Sequence, residues 1–200
     1  MISDLLDPLG LRPLGDCPDG DQTITFIGPD EPRFWGIFTS SFEYYAGAPA
    51  PMDLGSGRVI IAVSKELDAE PIFPFGGPPF APFFTWAKQS GRFWASPIGF
   101  LVHDDAGLFV SFRGAIRWQK TPKLGNKTQP CLTCTLQPCA TACPVGAFDD
   151  GYDVAACKAH ITSEAGQDCR TRGCLARRAC PISQGNRLPA QAAFHMEAFI

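Results

Sequence analysis

The chain has 200 residues, 45% hydrophobic and 18% charged, enough apolar content to build a packed core and too much for a disordered tail. A net charge of −3 argues against a general nucleic-acid coat, which needs clustered positive charge, and no stretch approaches the ~20 apolar residues of a membrane span. The compositional oddities are 19 prolines, 20 glycines, 16 phenylalanines and nine cysteines, eight of them between Cys131 and Cys180.

In chain order, the opening stretch carries neither a basic n-region nor a long apolar run, so the expectation is a cytoplasmic protein. In that setting cysteines are metal ligands or redox groups before they are disulfides. Thr23–Ile27 is rich in β-branched residues and predicts a strand. After Gly28-Pro-Asp-Glu-Pro32 a helix is predicted, with Asp30 near its N-cap, Pro32 in its first turn and Phe34, Ile37, Phe38 and Phe42 on one face. Arg58–Val63 reads as a buried strand and Pro82–Lys88 as a short helix. Ile98–His103 and Leu108–Trp118 flank Asp104-Asp-Ala-Gly107 and predict a hairpin with a bulge near Arg113 and Gly114. Thr121–Pro130 reads as a linker. It also divides the charge: residues 1–120 hold nine Lys/Arg against fourteen Asp/Glu, and residues 121–200 hold eight against six. The predicted domains are therefore 1–120 and 121–200.

The second half carries the clearest chemistry. Cys131, Cys134, Cys139 and Cys143-Pro144 read C-x2-C-x4-C-x3-C-P; Cys157, Cys169, Cys174 and Cys180-Pro181 repeat the scheme in a stretched form. Closely spaced thiolates wrap one small inorganic core, and a cysteine before proline points away from its own loop. In bacterial two-cluster ferredoxins that fourth cysteine ligates the other cluster. The same exchange here groups Cys131, Cys134, Cys139 and Cys180 around one [4Fe–4S] cluster, and Cys143, Cys157, Cys169 and Cys174 around a second. Two four-thiolate zinc sites are the alternative, although no pair of zinc-knuckle units stands out and the two C-P junctions favour iron–sulfur. Cys17 is left over as a spare thiol. A helix started by Asp153 is predicted through Cys157 and His160, with His160 a hydrogen-bonding neighbour rather than a ligand. Arg170, Arg172, Arg177 and Arg178 either raise a cluster's potential, form a docking face for an acidic donor, or are ordinary solvated surface.

Two resemblances follow from these residues. The cysteine half, with C-x3-I-T-x-E at Cys157–Glu164 between the two C-P motifs, resembles the ferredoxin-type domain of epoxyqueuosine reductase and the cobalamin-dependent reductive dehalogenases. The segment Ile98–Ile116 is similar to a block of the CblC-type cobalamin-processing proteins, with His103 and Arg113 at the matching step. Together they imply an α+β protein: a small nitroreductase-like N-terminal domain followed by a bacterial ferredoxin-like domain with two [4Fe–4S] clusters. They also imply an iron–sulfur oxidoreductase that passes single electrons from an electron-donor reductase or ferredoxin to a corrinoid, cobalamin or, less readily, a flavin. In that reading His103, Arg113 and Gly114, with Phe75, Gly76 and Gly77 of the ring-rich loop, contact the cofactor. Asp104 stands where the CblC-type pattern has proline, and no counterpart of the epoxyqueuosine reductase acid segment is present. The alternatives are a ferredoxin-like carrier with an extra docking domain and a zinc-stabilised interaction protein. Neither nucleic acid nor membrane is an expected partner.

Overall fold

A computed structural model describes residues 2–200 and divides them into two compact units, 1–93 with 111–127, and 94–110 with 128–200. Both helix and strand contribute, so the architecture is α+β. The division differs from the expected break at 120/121: the segment 94–110 belongs with the cysteines, and the change of unit comes at 127/128.

The first unit opens with α1 (Ile2–Leu6), then a hairpin of β1 (Leu11–Asp19) and β2 (Gln22–Pro29) turning at Gly20, whose φ of +61° suits a residue without Cβ. It continues through α2 (Arg33–Thr39), α3 (Phe42–Tyr45), α4 (Pro51–Glu66), β3 (Glu70–Ile72) and α5 (Phe83–Gln89). After the chain returns from the second unit, β6 (Gly114–Trp118) completes an antiparallel sheet of order β1-β2-β6-β3. The strand numbers β4 and β5 fall to Phe93–Ala95 and Leu101–His103. Prolines 13, 18 and 71 sit on the two edge strands, where a missing N–H breaks no central ladder. The β-branched run of Thr23–Ile27 forms a strand as predicted, and that strand is an inner one of the sheet. Its Phe26 packs against Phe83, Phe93 and Phe112 at centroid distances of 5.4–6.1 Å, forming the centre of the core.

Two predicted elements change. Arg58–Val63 is helical, not a strand: it lies inside α4, which begins at Pro51 and buries Met52, Ser56, Ile60, Val63 and Ser64 on one face. Ser56 and Ser64 spend their hydroxyls on the carbonyls of Met52 and Ile60, four residues back, so their burial leaves no unpaired group. The apolar run RVIIA fits either period, and the three-to-four spacing emerges only when residues 52–64 are taken together. The predicted helix after Pro32 forms as α2, with Phe34 and Phe38 buried, but it stops at Thr39; Phe42 starts a new turn capped by Ser41 and is exposed.

The predicted long hairpin is reduced to its turn. His103 and Gly107 exchange both backbone hydrogen bonds at 3.1 Å, yet β5 pairs with β4, and residues 114–118 join the sheet of the first unit. The reason is competition for donors. The N–H of Leu108 is taken by Ser183 Oγ at 2.6 Å, and that of Arg113 by the carbonyl of Ile27 at 2.8 Å.

The second unit contains the β4–β5 ribbon, irregular turns around Pro130 and Pro138, α6 (Val154–Thr162), α7 (Gln167–Arg172), α8 (Leu175–Ala179) and α9 (Pro189–Phe199). Asp153 caps α6 through the N–H of Ala156, as its position predicts. Ile98, Val102, Leu108 and Ala176 pack with Cys139 and Cys180 into a small core. No helix among the described residues is long and apolar enough to cross a membrane.

Candidate metal centres

Turns rather than long elements carry the cysteines. Cys131 and Cys139 lie in the single-turn helices beginning at Pro130 and Pro138, where proline fixes φ in advance. Cys157 is on α6 and Cys169 on α7, while Cys174 and Cys180 occupy the N-cap and C-cap positions of α8.

This arrangement sorts the eight thiols into two groups of four. Cys131, Cys134, Cys139 and Cys180 line an open cavity of about 260 Å³, completed by Ser96, Pro97, Val102, Leu108, Pro130, Thr133, Gln137, Pro138, Pro181 and Ile182. Cys143, Cys157, Cys169 and Cys174 line a narrow one of about 20 Å³, with Phe148, His160, Ile161 and Met196 around them. Each cavity thus takes three cysteines from one run and one from the other. Burial pushes the thiols of Cys131 and Cys139 up, and the facing thiols of Cys180 and Cys134 add to it; burial does the same for Cys169 and Cys174. Binding a metal at either place therefore releases protons.

The spacing of the sulfurs discriminates between metals. All nine cysteines are free thiols. Among the described residues, the one group of three His, Cys, Asp or Glu donors within 4.8 Å of one another is His103, Asp104 and Asp105. A single tetrahedral zinc ion with Zn–S near 2.3 Å draws its four sulfurs to about 3.8 Å from one another. Four thiols held farther apart around a cavity suit a polynuclear core with a metal at each corner. Four thiols at each cavity are a donor set of the kind that a [4Fe–4S] cluster uses.

The surroundings of the two cavities differ. No charged side chain lines the first, and Thr128–Phe148, the run that supplies half of its lining, contains none. Leu132 and Leu136 beside it are 72% and 87% exposed. The second cavity has polar company that the sequence reading missed. Tyr152 stacks on Phe148 at 5.1 Å; burial raises its phenol pKa, and the nearby Cys157 thiol raises it further. An aromatic at the i+4 position from Phe148, just before the Asp153 cap, was the available signal. Arg177 is half-buried, with its guanidinium pKa lowered to about 10 by burial and by Arg187, so it stays charged at neutral pH.

The other arginines do not form a free basic face. Arg170 pairs with Glu197, while Arg172 and Arg178 share Asp168. His160 lines the second cavity beside its thiols. Cys17 is buried on β1, where its thiol donates to Gln89 Oε1 at 3.2 Å.

The residues assigned to an organic cofactor are distributed over both units, and each has a local structural partner. His103 is fully buried; its Nδ1 accepts from the N–H groups of Asp105 and Ala106, and its Nε2 lies 3.3 Å from Asp104. Both ring nitrogens are engaged, so His103 has none to offer a cobalt ion. Arg113 is paired with Asp53 at 3.4 Å. Gly114 lies against Ile60, and a Cβ there would fall 2.8 Å from Ile60 Cδ1. Phe75 stacks on Phe73 at 5.1 Å, and a Cβ on Gly76 or Gly77 would meet Phe73 or Phe80 of the same loop. The glycines permit the loop to pack on itself rather than leaving a wall for a corrin or flavin. Comparison with protein-family models, with curated proteins and with solved structures finds no match to this chain.

Proposed function

We propose that the chain is an electron-transfer protein whose second unit holds two [4Fe–4S] clusters, one bound by Cys131, Cys134, Cys139 and Cys180 and the other by Cys143, Cys157, Cys169 and Cys174. The observation that carries this reading is the sorting of eight thiols into two cavities of four, each taking three from one run and one from the other. When bound, such clusters accept and release single electrons at potentials between about −700 and +450 mV. The protein's part is to hold the thiolates, exclude water and present one centre to a partner. The first cavity, with exposed Leu132 and Leu136 adjoining its cysteines in sequence, is the port for a donor reductase or ferredoxin.

The bacterial ferredoxin resemblance supports this assignment. A corrinoid or flavin is not included, because His103, Arg113, Gly114, Phe75, Gly76 and Gly77 are engaged in local contacts. The reading favours a reducing compartment, where eight free thiols persist until metal is loaded.

Anaerobic reconstitution followed by iron and acid-labile sulfide analysis tests the proposal. The expected content is about eight irons and eight sulfides per chain, with brown colour bleached by dithionite. Cys139→Ser is expected to leave about four of each. Stoichiometric zinc without sulfide overturns the reading.

A further inference from the structure

We propose that the Ser96 hydroxyl is a hydrogen-bond donor to the centre held by Cys131, Cys134, Cys139 and Cys180, and that it raises that centre's reduction potential. The inference rests on the two-cluster reading above and adds to it one residue that is not a ligand.

Ser96 Oγ is the one hydroxyl among the described residues that is buried with no hydrogen-bond partner, and the residue is only 8% exposed. Other buried serines are spent at once: Ser56, Ser64 and Ser90 each donate to a carbonyl three or four residues back, at 2.6–2.8 Å. Ser96 has no such carbonyl. It follows the β4 strand and precedes Pro97, which disfavours helical backbone at the residue before it. A buried hydroxyl left unpaired is costly, and it calls for a partner that the polypeptide does not supply.

The place of Ser96 indicates that partner. It lines the first cavity together with Cys131, Cys134, Cys139 and Cys180. Its main chain is already fixed: the N–H donates to the Phe100 carbonyl at 2.9 Å, and the carbonyl accepts from Gly99 at 3.0 Å. Gln129 Nε2 donates to the carbonyl of Ala95 at 3.1 Å, which ties this turn to the segment leading into Cys131. The hydroxyl proton alone is uncommitted, and it can rotate about the Cβ–Oγ bond.

The other polar side chains of the cavity are differently placed. Thr133 donates to the Pro130 carbonyl at 3.1 Å, and both Thr133 and Gln137 are exposed. A protonated thiol is a weak acceptor. A metal-bound thiolate or sulfide carries negative charge and accepts strongly, the more so in a lining with no charged side chain. The orphan donor thus acquires its partner when the centre is loaded.

Reduction adds one negative charge to the centre, and a donor at its sulfur stabilises the reduced state more than the oxidised one. An electron from a ferredoxin-class donor leaves that donor oxidised and the centre reduced by one; no covalent bond changes, and the proton stays on Ser96. No hydroxyl-bearing side chain lines the second cavity, so the effect is confined to the first.

The test is an anaerobic redox titration of reconstituted full-length protein, with dithionite as reductant and electron paramagnetic resonance as readout. Loss of one signal in Cys139→Ser identifies the first centre. Ser96→Ala is expected to lower that centre's midpoint by an amount that changes the reduced fraction about tenfold at fixed potential, or about 59 mV, leaving the other in place. Ser96→Thr and Ser96→Val introduce side chains of the same shape that differ in the hydroxyl. Ser96→Thr is expected to keep the wild-type midpoint, and Ser96→Val to match Ser96→Ala. Both midpoints unmoved in Ser96→Ala at full iron and sulfide, or both moved equally, overturns this inference alone; a water then serves the hydroxyl. Should Ser96→Ala load poorly, equal midpoints in Ser96→Thr and Ser96→Val overturn it in the same way. Wild-type protein without sulfide overturns the cluster reading and the inference with it.

Discussion

The two units reach stability by different means. The first has a four-stranded sheet, a 16-residue helix and a phenylalanine cluster around Phe26. The second, about 90 residues long, has only a short ribbon and short helices. Its buried large apolar side chains are Ile98, Val102, Leu108, Phe109 and Ile161; the rest of its apolar interior is alanine and cysteine. Ordering each residue costs roughly 1–2 kcal/mol of backbone entropy, and so small a core offsets little of it. What the first unit obtains from hydrophobic burial, the second would draw, on the proposed reading, from cross-linking through metal.

The strongest way to break that contrast is to remove the metal. Chelation under reducing conditions is expected to unfold the second unit and spare the first, so limited proteolysis should cut within 128–200 and leave 1–93 protected. Uniform cleavage across the chain would show that the first unit depends on metal too. A converse perturbation comes next: Phe26→Ala is expected to cost about 3–5 kcal/mol in the first unit, read as a lowered denaturation midpoint by fluorescence. The visible absorption of reconstituted protein at low denaturant should be unchanged.

The smallest expected effect is in acid. Arg58 makes two hydrogen bonds to Glu43, at 2.6 and 3.1 Å, and these hold the Glu43 carboxyl down to about 2. A depressed carboxyl pKa contributes stability above the ordinary value near 4.5 and loses it as pH falls toward 2. Since the Arg58 side chain is 59% exposed, solvent screening limits the contribution to about 1 kcal/mol. Glu43→Gln is expected to flatten the unfolding midpoint of the first unit between pH 5 and about 3 by that amount.

The contrast also explains what could be read from sequence. Thr23–Ile27, the Pro82–Lys88 helix and the Asp153 cap are specified by local composition, and the sequence suffices for them. RVIIA is not so specified, because its helical period lies in flanking residues. The hairpin failed for a nonlocal reason: Ser183, 75 positions from Leu108, competes for the donor that the second arm required. The grouping of eight cysteines was accessible because spacing and the two C-P junctions encode it. Tyr152 was not, since an aromatic looks ordinary until its neighbours are known. His103 and Gly114 have residue types suited to a ligand site, and the partners that the fold gives them, Asp104 and Ile60, are likewise not legible in the sequence.

Helix α8 carries a further consequence. Its two ends hold Cys174 and Cys180, which face different cavities, six residues or about 9 Å apart along the axis. One inserted residue there would rotate one end by about 100° relative to the other and misplace a thiol at one cavity or both. The first cavity also waits for residue 180 although its other three thiols are in place by residue 139. During synthesis the first cavity would therefore stay incomplete until residue 180 has emerged, which on the proposed reading would make the order and timing of metal delivery part of how this fold is made.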